Sequence, residues 1–154
     1  MAREIHIHVE EPSMEAYLVE LLPRLGHGAE SVRIINHSGK QKLLREIPKR
    51  LRGYARIPVQ FRPLTLVLVD RDNDDCHALK QSLEAAVLAA GLVSKSSAAS
   101  PPFDVVNRIA IEELEAWHFG DVSALAAEYQ GVPENLGARA QFRDPDAIAG
   151  GTHE

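Results

Sequence analysis

The residues best placed to do chemistry lie in one stretch, Leu66 to Cys76, which reads LVLVDRDNDDC. Asp70, Asp72, Asp74 and Asp75 crowd four carboxylates into six positions. Carboxylates held this close repel one another unless a cation sits among them, protons are taken up or water screens them. An oxygen-only donor set of this kind suits a hard cation, magnesium or manganese. Asp70 and Asp72 are the leading candidate ligands, with Asp74 beside them. Asp and Asn also serve as turn and N-cap residues, so Asp74 or Asp75 is expected to cap the helix that follows. A calcium loop is excluded, because its spacing puts Cys76 where glycine is needed and Gln81 where a bidentate Glu is needed.

Something must hold these carboxylates. The run Leu66 to Val69 is apolar without interruption, as in a strand of a parallel sheet buried on both faces. Asp70 then falls at the strand's carboxyl end, where open α/β sheets place their ligands. Extended backbone has period two, so Asp70 and Asp72 are expected to point the same way. A first strand is expected over Arg3 to Val9, with Ile5, Ile7 and Val9 on one face and His6 and His8 on the other. The two histidines are expected to be solvent or edge-face residues, the alternative being metal ligands two apart. Glu10 follows in the turn, Pro12 stops the strand and Ser13 is the expected N-cap. Met14, Tyr17, Leu18, Leu21, Leu22 and Leu25 then repeat at helical spacing, and Pro23 should end or kink that helix.

Ser31 to Ile35 reads as a second strand and Asn36 to Gly39 as a turn. Lys40 to Arg56 is the basic segment: Lys40, Lys42, Arg45, Lys49, Arg50, Arg52 and Arg56 against Glu46. Leu43, Leu44, Ile47 and Leu51 give it an apolar stripe, with Pro48 as a breaker. Such a segment is either a solvated helix face or a track for a polyanion, and Lys40, Lys42, Arg45, Lys49, Arg50 and Arg52 are its candidate nucleic-acid-binding residues. Cys76 to Ala90 reads as a helix closed by Gly91 at the C′ position. Ser94 to Pro102 reads as a flexible surface loop, and Phe103 to Ile111 as a strand. Glu112 to Phe119 reads as a helix with Leu114 and Trp117 inward, in which Glu113 and Glu115 are further candidate metal ligands. Asp121 should cap a short helix over Val122 to Tyr129.

Alternating strands and helices with carboxylates at strand ends argue a three-layer α/β, Rossmann-like fold with a mainly parallel sheet. Its expected extent is residues 1–130, followed by a loosely structured tail, 131–154, rich in Pro and Gly. The net charge of −5 excludes a uniformly basic surface, so nucleic-acid binding would be local. A single cysteine, Cys76, excludes an intrachain disulfide framework and a cysteine-based zinc site. No apolar run approaches the roughly 18 residues of a membrane span. The N-terminus enters a strand pattern at once, which predicts no secretory leader and a cytoplasmic protein.

The layout resembles the Toprim domain of topoisomerases, primases and the overcoming-lysogenisation-defect nucleases, through Glu10 in VEEPS and Asp70-Arg71-Asp72 in LVLVDRD. More specifically, the chain resembles an uncharacterised bacterial family of Toprim-like proteins. The stretches VEEPSMEAYLVELLP, SGKQKLLREIPKRLRGYA, LVLVDRDNDDCHALK and VVNRIAIEELEAWHFGD, within residues 9–121, carry that likeness. It implies a Toprim-like fold in which Glu10 is a general acid/base and Asp70 and Asp72 hold magnesium. Glu11 stands where many such sequences have glycine, and Glu15 lies one residue past the usual second acid. Relatives are expected to run on past Asp144-Pro145-Asp146 into a further helical segment, so this chain is expected to be a shortened version.

The expected function is a metal-dependent nuclease, or other phosphodiester-processing enzyme, with Glu10, Asp70 and Asp72 as its catalytic residues and ligands. By analogy it would act with an ATPase partner in bacterial defence. Self-association is left open. The alternative is a non-catalytic subunit whose acidic pocket holds a metal or a partner's basic loop. An Asp-x-Asp phosphatase is a further competitor, although its motif usually sits on the first strand of its chain.

Overall fold

The computed structural model describes residues 3–110, 118–140 and 142–144. They form two compact units: residues 1–69 with 74–109, and residues 70–73 with 110–154. The strands are β1 (Ile5–Val9), β2 (Val32–Asn36), β3 (Leu64–Asp70) and β4 (Val105–Ala110). They build one all-parallel sheet in the order β2-β1-β3-β4, the Rossmann-like α/β architecture expected. In the register of β1, His8 pairs with Ile35 of β2 and Val67 of β3. β1 and β3 are therefore the interior strands.

Three helices accompany the sheet: α1 (Pro12–Arg24), α2 (Lys40–Ala55) and α3 (Cys76–Ala89). In the order β2-β1-β3-β4, β1 to β2 steps one way across the sheet, and β2 to β3 and β3 to β4 step the other way. Right-handed crossovers then put α1 on one face and α2 with α3 on the opposite face. The main core agrees. Leu43, Ile47 and Leu51 of α2, Leu79, Leu83 and Val87 of α3, Val67 and Val69 of β3, and Val105 of β4 form one cluster. Ile7 and Val9 point to the other face of β1 and are equally buried.

Two proline expectations resolve differently. Pro23 falls in the last turn of α1, which ends at Arg24 as foreseen. Pro48 does not break α2, which continues past it to Ala55. An interior proline costs about 3 kcal/mol. Leu43, Ile47 and Leu51 are wholly buried, at about 2 kcal/mol or more each, so packing outweighs the lost backbone hydrogen bond.

The caps also divide. Asp75 caps α3, accepting from His77 N at 2.8 Å and Ala78 N at 3.2 Å. The backbone N–H groups of Ala78 and His77 hold its carboxyl below the usual range. Gly91, with φ +74, closes the same helix. Ser13 is not the cap of α1. Pro12 occupies the first turn, Glu11 is the N-cap, and Ser13 donates its hydroxyl to Glu11 Oε1 at 2.8 Å. The expected flexible loop after α3 is anchored at its start. Ser94 is buried, bridges to Val105 and bonds Ser97 through its hydroxyl.

At the amino ends of the strands, Asp104 is buried between two arginines. Arg3 Nη2 meets Asp104 Oδ1 at 2.9 Å, and Arg62 Nη1 meets Oδ2 at 3.3 Å. Further guanidinium donors go to the carbonyls of Arg62, Phe103, Pro63, Tyr54, Ala55 and Ile57.

In the second unit, the helix α4 (Val122–Glu128) is capped by Asp121, which accepts from Ala124 N at 3.0 Å. A 3-10 turn, Leu136–Ala138, follows, and a Cβ on Gly137 would come within 3.2 Å of Val122 Cγ2. Phe119 and Phe142 stack with centroids 5.1 Å apart. Of the expected tail, 131–154, residues 131–140 and 142–144 fall in this unit, and 141 and 145–154 lie outside the described residues.

Candidate functional site

Asp70 is the last residue of β3 and is 4 % exposed. Glu10 directly follows β1 and is 9 % exposed. β1 and β3 are parallel neighbours, and in such a sheet the carboxyl ends of adjacent strands share an edge. Glu10 and Asp70 are thus buried carboxyl side chains at the carboxyl ends of central strands, where open α/β sheets place their ligands. Glu10 is held by the turn after β2: its carbonyl accepts from Gly39 N, and Val9 O accepts from His37 N. That turn needs left-handed backbone, with Ser38 at φ 57 and Gly39 at φ 125.

Asp72 departs from expectation. Its φ is 48, so the extended period ends at Asp70 and no longer fixes where Asp72 points. Asp72 is exposed. Asp74 is exposed as well and pairs with Lys40 Nζ at 2.9 Å. Glu113 and Glu115, like Glu112 and Trp117, lie outside the described residues. Among the described residues no group of three or more His, Cys, Asp or Glu side chains is arranged to hold a metal ion.

On α2, Lys42, Arg45, Lys49 and Arg52 recur at spacings of three, four and three, and all are exposed. They form one stripe spanning about 15 Å of helix, opposite the buried Leu43, Ile47 and Leu51. Arg50 is exposed on the flank, and Lys40 is the first residue of the helix.

The sequence reading missed a second polar cluster. His8 is wholly buried, and His37 nearly so. His8 Nδ1 lies 2.9 Å from His37 Nε2, and His8 Nε2 lies 3.2 Å from the Tyr54 hydroxyl. The same hydroxyl lies 2.9 Å from His6 Nδ1, while His37 Nδ1 lies 2.8 Å from Glu46 Oε2. The five side chains thus form an unbroken chain, Glu46–His37–His8–Tyr54–His6. A carboxylate only accepts, so His37 donates Nδ1–H to Glu46. With singly protonated rings, one assignment satisfies every hydrogen bond: His8 donates Nδ1–H to His37, Tyr54 donates O–H to His8, and His6 donates Nδ1–H to Tyr54. His6 Nε2 lies 3.3 Å from Glu4 Oε2 without forming a hydrogen bond.

The electrostatics fit this order. Burial, reinforced by His37, Arg50 and His6 around it, lowers His8 to about 3, so its ring is neutral. The hydrogen bond from His37 holds Glu46 below the usual carboxylate range. Burial pushes the Tyr54 phenol up. His6 and His8 are therefore neither solvent residues nor paired metal ligands, since both ring nitrogens of His8 and Nδ1 of His6 turn to His37 and Tyr54. The reason is strand order. β1 lies inside the sheet, and α2 covers its histidine face. Three histidines with Tyr54 and Glu46 are scattered through the sequence, and nothing local signals their meeting.

These features make the protein a Rossmann-like α/β domain with buried carboxylates at the carboxyl ends of its central strands. The chain belongs to the family described as a domain of unknown function, DUF4276, whose model matches residues 9–154. No curated protein and no solved structure matches it. Among the described residues no helix is long and apolar enough to cross a membrane.

Proposed function

We propose that this protein processes phosphodiesters with a divalent cation, magnesium or manganese, held through Asp70 and Asp72, with Glu10 as the acid/base. The observation that carries this reading is the buried Asp70 closing β3, a central strand of a parallel sheet in which the adjacent strand β1 is followed by the buried Glu10. Carboxylate oxygens are the right donors for these ions. Magnesium commonly takes one or two carboxylates and completes its shell with water and substrate phosphate, so a larger protein cluster is not required. When bound, the ion would polarise a phosphoryl oxygen and stabilise the leaving oxygen. Glu10, anchored by its backbone to the Gly39 turn, is suited to move a proton. The stripe on α2 would neutralise the substrate's backbone phosphates, and the Toprim resemblance supports nucleic acid as that substrate. The same resemblance supports an ATPase partner in bacterial defence.

The test is cleavage of single- and double-stranded DNA and RNA in magnesium and in manganese, with and without a co-encoded ATPase. Asp70→Asn should lower the rate by about a hundredfold or more, as removal of a metal-binding carboxylate does. Cleavage that persists in Asp70→Asn, or in excess chelator, would refute the reading.

A further inference from the structure

One flank of α2 opens onto a cleft of about 550 Å³ lined by Glu46, Lys49, Arg50, Gly53, Tyr54 and Ile57. This falls within the range of small-ligand sites. Lys49 and Arg50 have no ion-pair partner among the described residues. Glu46 is the acid of the cleft, and His37 engages its carboxylate from beneath at 2.8 Å. The balance left facing the cleft is cationic. Gly53 sits inside a regular helix, where glycine is less favourable than alanine by about 0.5–1 kcal/mol. Its φ is not positive, and a Cβ there would meet nothing within 4 Å. Gly53 is therefore not required by the backbone or by close packing; its effect is to leave the cleft open. Tyr54 supplies an aromatic wall held by His6 and His8, and Ile57 adds an apolar one.

We propose that this cleft binds a nucleotide, with the phosphate on Lys49 and Arg50 and the base against Tyr54 and Ile57. Two cations match a phosphate, and charge-assisted hydrogen bonds from a guanidinium to phosphate oxygens are among the stronger polar interactions. A rigid aromatic beside a small apolar side chain suits the face of a base, which stacks whatever its sequence. The His8–His37–Tyr54 chain acts here by positioning: it fixes the tyrosine wall and draws the Glu46 carboxylate towards His37. Lys49 also belongs to the exposed stripe of α2, so the nucleotide is either free or one unit of a single strand lying along that helix. The inference rests on the reading of α2 as a phosphate-binding helix and needs no metal.

The experiment is calorimetric titration in EDTA, so that failure of the metal site leaves the result intact. The probes are deoxyadenosine monophosphate, inorganic phosphate, deoxyadenosine and the single-stranded pentamer of the same nucleotide. The monophosphate should bind saturably, and about tenfold or more tighter than phosphate or nucleoside alone. A pentamer that binds tighter than the monophosphate identifies a nucleic-acid strand as the source, and equal affinity identifies the free nucleotide. Gly53→Leu fills the cleft on a helix it should favour, so binding should vanish with no fall in Tm. Lys49→Gln with Arg50→Gln should weaken binding about tenfold or more. No saturable binding of any nucleotide probe, or unchanged binding in Gly53→Leu, would overturn the proposal. So would unchanged binding in the Lys49 and Arg50 double variant.

Discussion

Two buried polar clusters in the first unit solve the same problem in opposite ways. The clasp of Arg3, Asp104 and Arg62 pairs permanent charges, and its guanidinium donors end on a carboxylate or on fixed backbone carbonyls. Arginine stays protonated, so nothing in its two cations can shift. The chain Glu46–His37–His8–Tyr54–His6 runs through imidazole rings and a phenol, groups that can both donate and accept. One end reaches a carboxylate that lines an open cleft. A cluster of spent donors ties strand starts together, whereas one of reversible donors can hold a wall of a binding site and its charge in place.

The largest effect should come from breaking the clasp. Asp104→Ala leaves two partly buried guanidinium groups without their carboxylate, which should cost about 3–5 kcal/mol in urea unfolding. A loss under about 1 kcal/mol would mean that the arginines are held by the carbonyls alone.

The histidine chain should show itself through pH instead. His8 has an ordinary value of 6.5 and is lowered to about 3 in the folded protein. Below pH 6.5 the unfolded chain takes up a proton at His8 and the folded chain does not until about pH 3. Stability contributed by the neutral ring is thus whole above 6.5 and lost as pH falls towards 3, by up to about 1.4 kcal/mol per pH unit. Unfolding measured from pH 7 to pH 4 should be shallower by that slope in His8→Leu than in wild type. Parallel curves would show that His8 is accessible to protons in the fold.

The smallest effect should come from the outward face of α2, whose exposed cations contribute little to stability. Replacing Lys42, Arg45 and Arg52 with Gln should leave Tm nearly unchanged. Every cation that pairs with a phosphate in the wild type should, once replaced, flatten the salt dependence of DNA binding by about 0.7–0.9 in slope. Calcium in place of magnesium suppresses cleavage during that measurement. An unchanged slope with measurable binding would return the stripe to being a solvated surface.

These contrasts also explain what could be read in advance. β3 with Asp70 at its end, the Asp75 cap and the Gly91 stop were legible because each depends on neighbours within a few residues. Pro48 was misread because its penalty is local, while the burial of Leu43, Ile47 and Leu51 that outweighs it is tertiary. IHIHV looks the same whether its histidine face meets water or a helix. Only the order β2-β1-β3-β4, which places β1 inside the sheet under α2, decides that. Asp72 was placed by a period that stops two residues short of it, at Asp70, ahead of a left-handed turn.

The functional reading depends on a divalent cation at the carboxyl ends of the central strands. Manganese titration followed by electron paramagnetic resonance measures this without requiring catalysis. Wild-type protein should bind saturably in the micromolar to millimolar range, about what an open oxygen site with retained waters allows. Asp70→Asn with Asp72→Asn should abolish binding while the fold, followed by circular dichroism, is kept. An isotherm unchanged in the double variant, or no saturable binding in the wild type, would contradict the assignment.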